Sequence, residues 1–394
     1  MQGHFRAMKP SASRASLFWV LLLVFGAAVF ARRVHSTSWS YPPGWQGPAS
    51  WFVTDPDSLY HFRRLERVYE EGLPVAETDG YLNYPEGAMI PWPPYYTLML
   101  YAVTAPFAPE GRNARRAFLE VTAGSINVWI GAATALMAAL AGWYLAGSAG
   151  GLVAGLTHGL FFGSINYSNA GIADHHAWIS MLTAAMLMLV TGALSRGALE
   201  SRRRSAVWGA AAGIVAGILL GSWVASLLYV IEVQLVLAWL LFRHARKPLA
   251  GLTAYGLSFH LAALLVVLPA VLQSPWKGEH PWMVVNMSWF HPVQLFLGAL
   301  VFVPLPFLRR GGRIHRHHPF LVGGGLLLLG LILFLGDLGP ARAIQEGFQW
   351  VSRQNVFMAG VGESQPLLGG KADGIDELVS WLGWGIFLLP LAWL

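Results

Sequence analysis

Three short acidic segments carry the residue types from which a metal-dependent site is built. They are Asp55-Pro56-Asp57, Asp174-His175-His176 and Gly362-Glu363-Ser364-Gln365-Pro366. Carboxylates and imidazoles bind divalent cations, and an oxygen-rich ligand set favours Mn²⁺ or Mg²⁺. Charged residues make up only 12% of the chain, and these segments all lie in polar connections between long apolar runs. This concentration predicts that the three segments converge on one site.

Each segment also has a simpler structural interpretation. Asp174 precedes an apolar run, which is typical of a helix N-cap. Asp55 and Asp57 flank a proline before an amphipathic stretch, where acidic residues favour the positive end of a helix. Glu363 lies among glycines that are typical of a solvated loop or of a loop that closes over substrate. Because adjacent side chains diverge, His175 is expected to point elsewhere if His176 is a ligand.

Composition indicates an all-α polytopic membrane protein. The 394 residues are 55% hydrophobic, and apolar runs of about 18 or more residues recur, each long enough to cross a hydrocarbon core. We therefore predict a single transmembrane domain over residues 1–394. The chain has no cysteine, which excludes disulfides, zinc–thiolate sites and thiol nucleophiles. The formal charge of +6 lies in short basic clusters, which are typical of cytoplasmic loops rather than of nucleic-acid binding.

The apolar runs predict about ten transmembrane helices. They lie at about 17–31, 118–146, 148–165, 177–195, 205–221, 223–242, 248–272, 293–308, 319–336 and from 378 onwards. Small residues at Gly147–Gly151 mark the join between the second and third helices. Long external loops are predicted at about 32–116 and, as a mobile loop, at about 337–377. Prolines between Pro91 and Ala108 favour an external or re-entrant helix there over a full span.

Basic residues set the predicted orientation. Clusters at the N-terminus and at 196–204, 243–247 and 309–316 all fall on the cytoplasmic side, as the positive-inside rule requires. Counting 91–108 as a span would invert every later loop and place most of these arginines outside. With this orientation, all three acidic segments lie on the external side. The basic residues between Arg112 and Arg116 stay outside, in a long loop where the rule is weaker.

Together the three segments resemble motifs of the oligosaccharyltransferase catalytic subunit, a membrane enzyme of asparagine-linked glycosylation. Asp55-Pro56 with Tyr60 and Arg63 looks like the first-loop aspartate motif. Gly171 to His176 looks like the second-loop acidic motif in its archaeal form, and Val361 to Pro366 like the mobile-loop glutamate motif. The resemblance implies a GT-C-type glycosyltransferase architecture. It also implies the plasma (inner) membrane of a prokaryote, with the active site on the external, periplasmic face.

The resemblance assigns a role to each candidate residue. It implies that Asp55, Asp174 and His176 hold a divalent metal, and that Asp55 and Glu363 bond the amide N–H groups of an acceptor asparagine. An amide nitrogen is a poor nucleophile because its lone pair is delocalised into the carbonyl. Position alone suggests further substrate-binding residues for the diphosphate: Arg63, Arg342, Arg353 and Lys371. The implied partners are a polyprenyl-diphosphate-linked oligosaccharide, an acceptor polypeptide and membrane lipid, with no nucleic acid.

Other interpretations stay open at this point. The family carries a C-terminal soluble domain with a Trp-Trp-Asp-Tyr-Gly motif that reads the acceptor, and this motif does not occur in the chain. We therefore expect that domain to be absent, with the chain a fragment, a partner of a separate polypeptide, or specific for another acceptor. One alternative function is a membrane glycosyltransferase that uses a polyprenyl-phosphate sugar. Another is a transporter of lipid-linked substrates, for which Glu232 in the predicted sixth helix is the candidate residue. The last is an inactive remnant.

Overall fold

The structure is a computed structural model that describes residues 14–35, 53, 55–243, 250–303, 324, 339–351 and 379, and helices dominate this part of the chain. The helices are α1 (Arg14–His35), α2 (Pro56–Glu71), α3 (Tyr95–Thr104), α4 (Arg112–Leu160), α5 (Phe162–Asn166), α6 (His176–Ser195), α7 (Arg202–Leu220), α8 (Leu227–Arg243), α9 (Ala250–Gln273), α10 (Trp276–Glu279), α11 (Phe290–Leu300) and α12 (Gly339–Val351). Short 3₁₀ turns occupy Ala198–Glu200 and Val224–Ser226. Strand β1 (Thr78–Asp79) pairs antiparallel with β2 (Ala88–Met89).

Six helices of the described chain are long and apolar enough to cross a membrane. These spans are Ala15–Val34, Arg112–Leu160, His176–Ser195, Arg202–Leu220, Val224–Leu241 and Ala250–Gln273. They correspond to the first seven predicted helices, because Arg112–Leu160 contains two of them. The shorter apolar helix α11 begins the predicted eighth helix. The ninth and tenth predicted helices lie outside the described residues.

Helix α4 is a hairpin of two helical arms. Its backbone leaves helical geometry at Ala146 and Gly147, and Gly147 has a φ of 67°, a left-handed conformation that glycine adopts without steric cost. The arms then pack against each other so closely that a Cβ on Gly150 would lie 2.5 Å from the carbonyl oxygen of Gly142. The predicted join at Gly147–Gly151 is therefore confirmed.

Helix α1 packs along this hairpin. Their shared core consists of small and β-branched residues, namely Val24, Ala28, Ala132, Ala135 and Ala139. Contacts between such residues let helix backbones approach closely, and close approach is a principal source of helix association in membranes.

Helices α7 and α9 approach each other in the same way, through glycine. Gly209, Gly213 and Gly217 repeat every four residues, which places them on one face of α7. A Cβ on Gly213 would overlap the carbonyl oxygen of Phe259, which is backbone and cannot rotate away. The glycines therefore fix the distance between the two helices.

The first predicted external loop contains an amphipathic helix and a short apolar helix. In α2 the positions Ser58, His61, Leu65 and Val68 are all buried, at the spacing that puts side chains on one helix face. Helix α3 has ten residues, whereas a span needs about 20. The prediction that 91–108 is not a full span is therefore confirmed.

The predicted mobile loop at 337–377 contains helix α12 at residues 339–351. Helix α12 gains packing that local composition does not indicate, because Trp282 lies against Gly339 and Val284 lies near Gly347. The rest of the predicted loop lies outside the described residues.

The chain divides into two compact units, each assembled from separated segments. Of the described residues, the first unit contains those within 67–99 and 182–347, and the second contains those within 14–66, 100–181 and from 348 onwards. The α7–α9 pair belongs to the first unit, and α1 with the α4 hairpin belongs to the second.

We expect alanine at Gly213 to destabilise the protein by about 1–3 kcal/mol, because the new methyl group overlaps the α9 backbone. The matched control is Gly26→Ala in α1, where a Cβ would meet no atom within 4 Å. That variant should be neutral or up to about 1 kcal/mol more stable, since alanine favours helix over glycine. Thermal unfolding of the detergent-purified variants measures both effects. A stability shift of the same sign in the two variants would contradict this packing.

Candidate metal centre

A fixed backbone segment places Asp174 and its two histidines just before α6. The side-chain amide of Asn127, fully buried in α4, donates to the carbonyl oxygens of Ile172 at 2.9 Å and Asp174 at 2.8 Å. The Gly171 N–H donates to the carbonyl oxygen of Gly124. A buried carbonyl needs such a partner, so these bonds set the path of the chain into the site.

Asp174 is the centre of the cluster. It is 4% exposed, and its Oδ1 lies 2.6 Å from both the backbone nitrogen and the Nδ1 of His175. Its Oδ2 contacts the Nδ1 of His176. The ring of His176 in turn stacks on Tyr167, with the ring centroids 4.8 Å apart. Both histidines therefore converge on one carboxylate, and the expectation that His175 points elsewhere is wrong. The turn before α6 folds back enough for consecutive side chains to meet.

A third histidine reaches the cluster from α2. The Nε2 of His61 lies 3.0 Å from the Nδ1 of His175 and 3.6 Å from the Oδ1 of Asp174. His61 is 1% exposed. One potential ligand atom from each of His61, Asp174 and His175 lies within 4.8 Å of the other two. This geometry brings together segments that are more than a hundred residues apart in sequence.

Burial and neighbouring charge set the ionic state of the cluster. Burial alone would raise the pKa of Asp174, but hydrogen bonds and charge from His175 and His176 outweigh it and hold that pKa well below its ordinary range. Burial lowers the pKa of His61 well below its ordinary value, and the neighbouring His175 lowers it further. Near neutral pH the cluster therefore combines an ionised carboxylate with a neutral imidazole from α2. These are the states that bind a metal ion.

Asp55 begins α2 as the helix N-cap. Its Oδ2 accepts hydrogen bonds from the Ser58 backbone nitrogen at 2.8 Å and from the Ser58 hydroxyl at 2.5 Å. The same hydroxyl accepts a bond of 2.9 Å from the backbone N–H of Ala173, the residue before Asp174. The capping interpretation is therefore confirmed, and Ser58 links Asp55 to the segment that holds Asp174.

The remaining predicted residues fall elsewhere. Arg63 is partly exposed on α2, and Arg342 is exposed on α12 in the other unit. Arg353, Glu363 and Lys371 lie outside the described residues. His61 is not among the predicted ligands, although its position in the sequence indicates that it faces the same side as Ser58. His61 lies three residues after Ser58, on the buried face of an amphipathic helix that begins at a predicted ligand.

A separate cavity of about 470 Å³ lies in the first unit, between α8, α9, α11 and α12. Apolar side chains line most of it, and three polar side chains form one chain on its wall. Gln294 donates to the Oε1 of Gln234 at 2.5 Å, and Gln234 Nε2 lies 3.0 Å from His260 Nε2. Two of these helices belong to candidate membrane spans. The cavity is therefore an apolar recess beside two candidate membrane spans, with a small polar wall.

Comparisons with known proteins agree on a family. The family model described as "Oligosaccharyl transferase STT3, N-terminal" matches residues 48–301. Dolichyl-phosphooligosaccharide-protein glycotransferase 1 of Archaeoglobus fulgidus is 25% identical over an alignment of 313 residues, and the match covers 75% of this chain and 46% of that protein. The chain thus spans a little under half the length of this curated relative.

Solved structures of the A. fulgidus oligosaccharyltransferase share the fold. The apo form has a TM-score of 0.75 at 17% identity, covering 96% of this chain and 44% of its own. AglB in complex with an inhibitory peptide and a dolichol-phosphate has a TM-score of 0.74 at 17% identity, covering 95% and 44%. A complex with Zn and sulfate has a TM-score of 0.63 at 16% identity, covering 95% and 46%.

We expect Asn127→Ala to lower stability by about 1–3 kcal/mol, because it leaves the carbonyl oxygens of Ile172 and of the buried Asp174 without their donor. Asn113→Ala, at an exposed position in the first turn of the same helix, should change stability by less than about 0.5 kcal/mol. Chemical or thermal unfolding of both variants provides the comparison. Equal stability of the two variants would show that Asn127 does not anchor the segment.

Proposed function

The chain belongs to the STT3 oligosaccharyl transferase family, and we propose that it transfers an oligosaccharide from a polyprenyl-diphosphate carrier to an asparagine side chain of a protein acceptor. The observation that carries this proposal is the buried carboxylate of Asp174 beside three imidazoles, within the region that matches the family. We place this reaction at the external, periplasmic face of a prokaryotic plasma membrane. The proposal also includes a GT-C-type architecture with about ten spans in one transmembrane domain.

The residues of the cluster fit a divalent cation. Ligands about 2.1 Å from a metal lie at most about 4.2 Å apart, and the three potential ligand atoms of His61, Asp174 and His175 lie within 4.8 Å of one another. A small contraction would complete the site. Imidazole nitrogens suit transition metals and carboxylate oxygens suit Mn²⁺ or Mg²⁺, so this mixed set favours Mn²⁺ over Mg²⁺.

We assign Asp174 as the central ligand, with His176 and Asp55 as the further ligands that the family resemblance implies. The 4.8 Å spacing is that of His61, Asp174 and His175. An ionised carboxylate only accepts hydrogen bonds, so His176 carries its proton on Nδ1, facing Asp174. To hold a divalent ion together with Asp174, His176 would give up this proton, because a metal-bound imidazole nitrogen is deprotonated. His61 and His175 lie close enough to Asp174 to complete or orient the ligand set. When bound, a divalent ion neutralises negative charge on a diphosphate leaving group.

The carboxylates also have a task at the acceptor. Asp55 uses Oδ2 to cap α2, which leaves Oδ1 to accept an N–H of an acceptor amide. We assign the second such bond to Glu363. Two carboxylates on one amide nitrogen would hold it in line for attack and oppose its delocalisation into the carbonyl. Arg63, Arg342, Arg353 and Lys371 stay candidates for the donor diphosphate, since arginine and lysine pair with phosphate oxygens.

The apolar cavity supports a lipid-linked donor. An isoprenoid chain needs apolar surface, and the mostly apolar lining of the cavity between α8, α9, α11 and α12 is suited to one. Transport of such a lipid has weaker support, because Glu232, the residue favouring it, is exposed on α8 rather than facing this cavity.

We expect Asp174→Asn to weaken Mn²⁺ binding to the metal-stripped chain by at least about 100-fold, since it removes the central anionic ligand. Asp57→Asn, two residues from Asp55 and outside the assigned site, should bind Mn²⁺ as the wild type does. Isothermal titration calorimetry on the purified chain measures both. A wild-type chain that binds no divalent ion, or an Asp174→Asn variant with wild-type affinity, would overturn the metal assignment.

Glu363→Gln should lower transfer of a polyprenyl-diphosphate oligosaccharide to an asparagine-containing peptide by at least about 100-fold, because a neutral amide oxygen replaces the charged acceptor of the amide N–H. Glu232→Gln should keep wild-type transfer. Chelation should abolish transfer and added Mn²⁺ should restore it. Loss of activity in Glu232→Gln alone would favour transport. Activity that survives chelation would favour an enzyme using a polyprenyl-phosphate sugar.

A further inference from the structure

Arg32 is a charged side chain with no exposed surface, located within a candidate membrane span. It lies in the last two turns of α1, inside the span Ala15–Val34, and its relative exposure is 0%. Burying a guanidinium among apolar helices is costly unless its donors are satisfied. Such a residue therefore has either a large structural role or a functional one.

The partners of Arg32 show which segment it holds. Its Nε donates to the Ser168 hydroxyl at 2.7 Å, and its Nη2 donates to the Ser164 hydroxyl at 2.8 Å. Its Nη1 donates to the carbonyl oxygens of Ala28 at 3.0 Å and Gly159 at 2.9 Å. The rigid fork of the guanidinium thus joins α1, the end of α4 and the segment that follows α5.

The surrounding chain is shaped around this guanidinium. A Cβ on Gly131 of α4 would overlap the Arg32 Nε and lie 2.5 Å from the Ser168 hydroxyl. The Ser164 hydroxyl also lies 3.1 Å from the Nε2 of His158. Arg32 therefore occupies a fitted polar pocket inside the second unit.

The held segment leads directly to the candidate metal centre. Tyr167 lies between the two serines, and its ring stacks on His176, a proposed ligand. Six residues after Ser168 the chain reaches Asp174. Side chains that orient metal ligands from outside commonly change metal affinity by about 10–100-fold when they are lost.

We propose that Arg32 is a positioning residue for the metal centre, acting through Ser164, Ser168 and Tyr167 on the orientation of His176. The inference rests on the proposed function, because it requires His176 to be a ligand. In this role Arg32 acts from within a candidate membrane span and stabilises the site without contacting substrate.

Gly131→Ala and Ser168→Ala test this role without removing the buried charge. Each disturbs the bond between Arg32 and Ser168, and each should weaken Mn²⁺ binding by about 10-fold or more. Gly26→Ala, whose added methyl group meets no atom, should bind Mn²⁺ as the wild type does. Calorimetry is carried out at a temperature where the metal-free unfolding curve of every variant shows a folded chain, which separates positioning from stability.

Arg32→Lys provides a second comparison, against Arg33→Lys at the exposed neighbouring position. Lysine keeps the charge but lacks the planar fork, so only the Arg32 variant should lose Mn²⁺ affinity. Folded Gly131→Ala and Ser168→Ala variants with wild-type Mn²⁺ affinity would overturn the inference and leave the metal assignment standing. A wild-type chain that binds no Mn²⁺ would overturn both.

Discussion

A carboxylate that stays ionised inside a helical protein needs hydrogen-bond donors on almost every side. Asp174, at 4% exposure, finds them in the two residues that follow it. That solution requires a backbone turn which folds consecutive imidazoles onto one side chain. Asn127 and Ser58 hold this turn through three backbone groups. These contacts keep the negative charge of Asp174 buried beside the imidazole nitrogens of His175 and His176.

In both units the helices associate through close packing of small residues and through hydrogen bonds between buried polar groups. Burial of apolar side chains does not draw helices together within a lipid bilayer, so close packing and internal polar bonds must do so. Glycine and alanine bring α7 onto α9 and α1 onto the α4 hairpin. Hydrogen bonds between polar groups then join the helices. Arg32 makes them in one unit, and Gln234 and His260 make them in the other.

The helices were largely predictable because length and apolarity decide them. The turn at Gly147 was predictable for a related reason, since small residues interrupt an otherwise continuous apolar run. Helix α12 was not predictable, because its packing partners, Trp282 and Val284, lie about sixty residues away. Local composition indicates a loop, and tertiary packing overrides it.

The site was predictable in its residue types more than in its geometry. Asp174 and His176 were singled out as a candidate pair through the family resemblance, since their spacing alone fits a helix N-cap as well, and the structure brings the two side chains into contact. The spacing of His61 from Ser58 places it on the buried face of α2, but its approach to Asp174 depends on how α2 packs, which the sequence does not reveal. His175 was misjudged because the rule that neighbouring side chains diverge holds for regular helix and strand, whereas this residue lies in a turn.

Asp55 caps α2 and has a proposed role at the acceptor amide, and together these two roles restrict which side chains can replace it. A glutamate would keep the negative charge, but its longer side chain would lose the geometry that caps α2 through Ser58. An asparagine would keep the cap but lose the anion. Under the proposed function a single aspartate thus meets two requirements, the helix cap that the structure shows and an anion at the acceptor amide.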